Sequence, residues 1–253
     1  MARRLMTIKY DGTAYCGWQV QPNDVSVQST VQNALGCVLG FPAPDVTGCS
    51  RTDSGVHAEM FCFHFDTDST IPNNKLCLAL NTHLPNDISA VNCRFVPDDF
   101  HARYNCLGKT YSYKILNSNL RDPFWEKYSY RFGFKLDVDK MNSAALKFCG
   151  KHDFCGFCSA GSSVKDTIRT VTECSVSKSG DIITVKITAD GFLYNMVRII
   201  VGTLLEVGTG RISPDEIPLI IESKDREKCG PTAKANGLFL SEVHYSFFES
   251  EEV

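Results

Sequence analysis

Residues 47 to 60 read TGCSRTDSGVHAEM and bring an arginine, an aspartate, a glycine and a histidine together between Arg51 and His57. Thr-Asp-Ser-Gly is turn chemistry: an aspartate bonds its own backbone, and Gly55 permits a positive φ. The same carboxylate, Asp53, can instead be held out for nucleophilic or acid–base work. An aspartic-protease triplet is a poor fit. That chemistry needs two carboxylates sharing a site, and no second Asp-Ser/Thr-Gly occurs. The second residue of chemical interest is Arg198, in the apolar run NMVRIIVG. A guanidinium inside a buried helix needs an acid from elsewhere in the chain, or a position at the helix edge from which its head reaches water. A buried partner acid would stay ionised at neutral pH.

A third cluster, CGKHDFCGFC, spaces Cys149, His152, Cys155 and Cys158 three apart and includes one C-x-x-C. A zinc ribbon wants a second C-x-x-C, and the chain has none, so packing without a metal is expected. The twelve cysteines are scattered, most of them inside apolar patterns such as those around Cys62 and Cys77. They read as reduced, buried thiols. His57 reads as a brace of its loop through hydrogen bonds.

The chain has 253 residues, 43% of them hydrophobic and 22% charged, which suits one large or two smaller soluble domains. The longest apolar stretch, Phe192 to Gly208, is interrupted by Asn195, Arg198 and Glu206, so no membrane span is expected. The first residues lack the apolar core of an export signal, which favours the cytoplasm. A net charge of −3 argues against a protein that coats nucleic acid non-specifically, but not against a local basic groove. From His101 to Lys135 seven basic residues stand against two acids, interleaved with nine aromatics. That mixture suits unstacked RNA. It also suits ordinary strands with solvated charges and a buried aromatic face, which composition by itself favours.

The elements that must position these residues follow from periodicity. RRLMTIKY is a strand ending at Asp11-Gly12, and Ser26 caps a helix whose inward face is Val27, Val31, Ala34, Leu35, Val38 and Leu39. EMFCFHFD alternates as a strand, NNKLCLALNTHLP is helical up to Pro85, and DISAVNCRFV is another strand. In the second half, GKTYSYKIL is a strand and VDKMNSAALKFCG a helix. TVTECSVSKSGDIITVKITAD is a hairpin around Ser179-Gly180, and NMVRIIVGTLLEVG is a buried helix. Ser213, Pro214 and Glu216 form a capping box, and GLFLSEVHYSFF closes the chain as a strand. Strands and helices in mixed order with hairpins imply α+β with largely antiparallel sheets.

At these residues the chain resembles the TruA-type tRNA pseudouridine synthases. KYDGTAYCGWQVQ, SVQ, SRTDSGVHA, LNTHLPNDI, VPDDFHARY, KTYSY, HDFCGF, GFLYNMVRIIVGTLLEVG and GLFLSEVHY follow in the family's order from about Leu5 to Tyr245. Ser50 stands where the family most often has glycine, and Ser54 where alanine is common. The resemblance implies two similar α+β lobes whose antiparallel sheets are flanked by helices, with the active cleft between them. The lobes expected are residues 1–105 and 106–247, followed by an acidic tail at 248–253. It implies Asp53 as catalytic nucleophile, Arg51 entering the RNA as the uridine flips out, Tyr111 stacking on the flipped base and Arg198 paired with Asp53. Phe192 and Leu193 would wall the pocket, and His101 and Arg103 would contact the RNA backbone. The implied activity is isomerisation of uridine to pseudouridine in the anticodon stem-loop of tRNAs, by a cytoplasmic homodimer that needs no metal and no small-molecule cofactor. A tRNA-binding module without catalysis, and a hydrolase using Asp53 with Asp98 or Asp99, are the competing readings.

Overall fold

The computed structural model describes residues 1–161 and 164–247. Its first half runs through strand β1 (Ala2–Tyr10), helix α1 (Val27–Leu39), strands β2 (Thr47–Gly48) and β3 (His57–Thr67), helix α2 (Asn73–Asn81) and strand β4 (Ile88–Phe95). Then come strands β5 (Gly108–Leu116) and β6 (Tyr130–Arg131), helix α3 (Val138–Leu146), and strands β7 (Gly150–Asp153), β8 (Ile168–Ser179) and β9 (Ile182–Ala189). Helices α4 (Met196–Gly208) and α5 (Ile217–Ser223) precede the last strand, β10 (Leu238–His244). The chain divides into two units: residues 1–107 together with the stretch from Phe239 onward, and residues 108–238. The expected boundary lay two residues earlier, and the expected second lobe ran on to residue 247. The difference comes from β10, whose Phe239 and Leu240 pair in parallel with His57 and Ala58 of β3. The acidic tail expected at 248–253 lies outside the described residues.

In the first unit β1 lies between β4 and β3. It pairs antiparallel with β3, Leu5 opposite His64, and with β4, Met6 opposite Cys93. Phe61, Phe63 and Phe65 are all buried, as the alternation implied, but so are Cys62 and His64 on the opposite face. Trp18 stacks on Phe61 with ring centroids 4.1 Å apart. Ser26 caps α1, its Oγ accepting from the Ser29 N–H at 3.1 Å. Val27, Val31, Ala34 and Leu35 are buried, whereas Val38 and Leu39 are half-exposed because the helix leaves its packing in the last turn, at Gly40. Helix α2 stops at Asn81, short of Pro85. Thr82 closes its last turn, and the Asn81 side chain bonds both the N–H (2.7 Å) and the C=O (2.8 Å) of Ala90.

In the second unit the order is β5-β9-β8-β7, antiparallel throughout, with β6 alongside β5 in parallel. The β8–β9 hairpin turns at Gly180-Asp181, with Gly180 at φ +57°, one residue past the expected pair. Helix α4 is the core of this unit. Among its residues all but Arg198 and Glu206 are buried. It lies so close to the 230–231 turn that a Cβ on Gly202 would sit 1.6 Å from the Pro231 carbonyl oxygen. The capping box of Ser213 and Glu216 is present, on a 3-10 turn that leads into α5. The segment between β5 and α3 departs from expectation. It is mostly turns rather than strands, and its aromatic side chains are not a buried face: Phe124 is 86% and Phe134 72% exposed. Among the described residues no helix is long and apolar enough to cross a membrane. Each unit is therefore α+β, with helices against a largely antiparallel sheet.

Candidate active site

The Asp53 loop is held by the chain segment that follows β1. Asp11 caps a short turn, its carboxylate accepting from the Thr13 N–H at 2.9 Å. The backbone then passes beneath the loop. The Trp18 N–H donates to Thr52 O (3.2 Å), and both the Gly55 N–H (3.3 Å) and Ser54 Oγ (3.2 Å) donate to Tyr15 O. On its other side the same segment meets α1, where the Val27 and Gln28 N–H groups donate to the carbonyls of Gly17 and Trp18 at 3.1 and 3.0 Å. The first-turn donors of a helix, which have no partner inside it, thus find acceptors here. Three stretches separated in sequence (11–18, 26–29 and 50–57) become one hydrogen-bonded body.

Two glycines make that approach sterically feasible. Gly17 has φ +106°, and a Cβ there would lie 2.3 Å from Thr52 O. A Cβ on Gly12 would lie 2.0 Å from Val56 O. Within the loop, Gly55 adopts φ +76°, and the Val56 N–H closes the turn onto Asp53 O at 3.2 Å. Thr52 is buried, its hydroxyl 2.8 Å from that of Tyr10. Asp53 is half-buried and Arg51 exposed. The backbone of the turn is engaged by the 15–18 segment, and those bonds fix where the carboxylate stands. Ser50, where a glycine is usual, is not among the described non-glycine residues of positive φ, which are Asn23, Asn195 and Lys224.

His57 is 1% exposed. Its Nδ1 accepts the Gly12 N–H at 3.1 Å, and its ring stacks on Phe239 at 4.6 Å. It braces the loop, as expected of it. Tyr15 donates to Asp87 at 2.6 Å; burial first, and the carboxylate second, raise its pKa well above the ordinary phenol value.

The candidates His101 and Arg103 lie on a tight turn of the same unit. His101 Nδ1 accepts the N–H groups of Arg103 (3.2 Å) and Tyr104 (3.3 Å), and its ring lies 4.2 Å from that of Tyr104. Arg103 is exposed, its guanidinium 6.0 Å from the Tyr104 ring centroid. The turn is anchored from below by His64, whose Nδ1 accepts the Ala102 N–H at 3.1 Å, and by Tyr245, whose hydroxyl donates to Ala102 O at 2.6 Å.

Tyr111 and Arg198 belong to the second unit. Tyr111 is on β5, 6% exposed, its ring edge-to-face with that of Phe192 at 5.0 Å. Arg198 is in the first turn of α4 and is half-buried rather than enclosed. Its Nε donates to Ala233 O and its Nη1 to Asn195 Oδ1, each at 2.7 Å. Both acceptors are neutral, so they orient the guanidinium without cancelling its charge. Asn195 was read in the sequence only as a break in an apolar run. It holds the Arg198 guanidinium, starts α4 in the left-handed region at φ +61°, which asparagine tolerates, and also donates to Ser159 Oγ at 3.0 Å.

The cysteine cluster forms no comparable site. His152 Nε2 faces Cys149 O at 3.1 Å, and Cys158 Sγ contacts Ser159 O at 3.6 Å. Among the described residues no group of three or more His, Cys, Asp or Glu side chains is placed to hold a metal ion. The twelve cysteines stand as free thiols. Against the expectation of burial, five are buried (Cys49, Cys62, Cys77, Cys93 and Cys174), while Cys37 and Cys155 are exposed and the other five half-buried, because several of them sit in turns or at element ends rather than on inward faces.

The chain matches a family model described as tRNA pseudouridine synthase over residues 6–105 and 144–246. It is 50% identical over 240 residues to tRNA pseudouridine synthase A of Clostridium acetobutylicum, covering 95% of this chain and 98% of that one. The protein of the same name from Acetivibrio thermocellus is 48% identical with the same coverage. That of Caldicellulosiruptor saccharolyticus is 46% identical over 245 residues, 97% of this chain and all of the relative. With likeness of this degree over nearly its whole length, the chain belongs to the tRNA pseudouridine synthase family.

Proposed function

We propose that this protein isomerises uridine to pseudouridine in the anticodon stem-loop of tRNA, with Asp53 as the reacting carboxylate. The observation that carries the assignment of Asp53 is its setting: a half-buried aspartate on a loop pinned by backbone bonds to Tyr15 and Trp18, two residues from an exposed arginine. A catalytic carboxylate gains from such a setting because its position is settled before substrate arrives. Full-length similarity to curated synthases supports the reaction class.

The chemistry suits these residue types. The bond from the sugar carbon to the uracil nitrogen breaks, the base turns, and a bond to the ring carbon forms, with the proton of that carbon lost. Atoms and electrons balance within the nucleotide and solvent, so the reaction calls for no redox partner or group donor. A carboxylate can stabilise or trap the electron-poor sugar carbon, or add to the base. The uridine must first leave its stack at a cost of a few kcal/mol. Arg51 is assigned to fill the vacated space and Tyr111 to receive the flipped base, with Phe192 as a pocket wall. Arg198, oriented by Asn195 and Ala233, is assigned to hold Asp53 ionised, and His101 and Arg103 to bind phosphates. The same proposal includes a homodimer and cytoplasmic residence.

The test is Asp53→Asn on an unmodified tRNA transcript. Pseudouridine formation should fall by at least about 10³-fold while tRNA binding persists. Wild-type turnover in the variant would remove Asp53 from its role. A wild-type protein that bound tRNA but made no pseudouridine would support the binding-module reading instead.

A further inference from the structure

Three sulfur-bearing side chains of the first unit converge beside the β1–β4 pair. Met6 of β1 stands directly opposite Cys93 of β4. Cross-strand partners put their side chains on the same face of a sheet, with Cβ atoms about 5 Å apart. Helix α2 turns Leu76, Cys77 and Leu80 inward, and Cys77 Sγ lies 3.8 Å from Met6 Sδ. The two thiols are neighbours as well. Met6 is fully buried, whereas Cys77 and Cys93 are 8% and 7% exposed, both in the wall of a cleft of about 620 Å³ between α2 and β4. The cleft gives the sulfurs a path to solvent.

Two thiols and a thioether are soft donors. Zinc takes four ligands and the hard cations take oxygen, whereas three sulfurs select a soft monovalent ion, copper(I). The spacing agrees with this. A metal with bonds of about 2.3 Å to three sulfurs in one plane holds them about 4 Å apart, close to the 3.8 Å between Cys77 and Met6.

The local charge agrees too. Arg4, on the same strand as Met6, is 1% exposed. Its guanidinium donates to neutral acceptors, namely the carbonyls of Ser69 and Ile71 (the latter at 2.8 Å) and Asn73 Oδ1 at 3.3 Å, and it lies 4.9 Å from the Phe95 ring centroid. Its Nε has no hydrogen-bond partner among the described residues. The same Asn73 Oδ1 accepts from Cys93 Sγ at 3.5 Å, so the guanidinium stands beside that sulfur. A buried cation is costly unless an anion lies nearby. Copper(I) held by two thiolates and a thioether carries one net negative charge and supplies that anion.

We propose that Met6, Cys77 and Cys93 form a binding site for copper(I), with Arg4 as its counter-charge. On binding, each thiol releases its proton to solvent and each of the three sulfurs donates a lone pair to the metal, with no electron transferred. The ion links β1, α2 and β4, so it binds the folded unit in preference to the unfolded chain and stabilises it. The site shares no residue with the isomerisation and does not rest on that reading.

The experiment titrates reduced, oxygen-free, full-length protein with copper(I) in competition with bicinchoninate, a chromogenic copper(I) chelator. Wild type should take one ion per chain, raise its melting temperature on doing so, and show by X-ray absorption three sulfurs at about 2.3 Å from the metal. Cys77→Ser and Cys93→Ser should each weaken binding by about 100-fold or more, and Met6→Leu, which conserves core volume, by ~10-fold with the sulfur count reduced to two. Cys37 and Cys155 are exposed thiols outside the site, and Cys37→Ser with Cys155→Ser should bind as wild type does. Melts of the metal-free variants report folding, and Met6→Leu decides the matter should a serine variant fail to fold. Wild-type affinity in Met6→Leu or in a folded serine variant overturns the proposal. So does loss of the ion in the Cys37 and Cys155 variant, a shell of other than three sulfurs, or failure of the wild type to compete with the chelator.

Discussion

At the scale of single residues, Arg198 and His64 show how position is converted into chemistry. Arg198 is aimed by two neutral acceptors, the Ala233 carbonyl and the Asn195 amide. A lysine keeps the charge but cannot serve both acceptors with a planar fork. Arg198→Lys should therefore lower kcat by roughly 10²-fold with little change in tRNA Kd, as measured in single-turnover and binding assays. His64 is buried under the His101–Arg103 turn and accepts the Ala102 N–H, so the fold needs its neutral form. Burial first, then the charges of Arg3 and His101, push its pKa down from 6.5 to about 4. A depressed histidine pKa means that the unfolded chain binds the proton first as pH falls. The stability contributed by neutral His64 is thus complete above pH 6.5 and is lost progressively as the pH falls toward about 4. Urea melts between pH 7 and 4.5 should show wild type losing more stability than His64→Gln over that window. Asp66, whose pKa is lowered from 3.8 by Arg3, contributes its own loss only at lower pH.

At the scale of elements, close approach governs what is tolerated. Helix α4 passes the 230–231 turn so tightly that Gly202→Ala would force backbone apart, since the displaced neighbour is a carbonyl and not a flexible side chain. The expected cost is about 2 kcal/mol or more, read as a lowered urea midpoint. Gly17→Ala adds a Cβ 2.3 Å from Thr52 O in a residue at φ +106°. Because that carbonyl precedes Asp53, kcat should fall out of proportion to the loss of stability. Equal, small effects on both would show that the segment 11–18 does not position the loop.

At the scale of the whole molecule, the last strand decides where the first unit ends. β10 pairs with β3 beside the start of the aspartate loop's strand, and Tyr245 beyond it supports Ala102. A chain truncated after Leu238 should lose the cooperative unfolding of the first unit, seen as a missing transition in calorimetry. The proposed homodimer predicts a light-scattering mass about twice 28.1 kDa at micromolar concentration.

The longer strands and helices, the capping residues Ser26 and Ser213, the loop that carries Asp53 and, through nine ordered motifs, the family were legible in the residues alone, whereas the short strands β2, β6 and β7 were not. The legible features are local in origin: they rest on hydrophobic period, turn chemistry and cap chemistry, each legible within a dozen residues. Which distant segments meet is visible only in the fold. Nothing in DGTAYCGW announces that its carbonyls receive both the first turn of α1 and the loop of Asp53. Nor does β10's position at the end of the chain announce that it pairs with β3. Composition likewise favoured a buried aromatic face for residues 101–135, yet Phe124 and Phe134 stand in solvent. Burial depends on what else the fold brings to a surface, and hydrogen bonds between remote backbones leave no mark on side-chain identity except where glycine is required. Gly12 and Gly17 are that mark, and their meaning becomes readable only once the neighbouring carbonyls are in place.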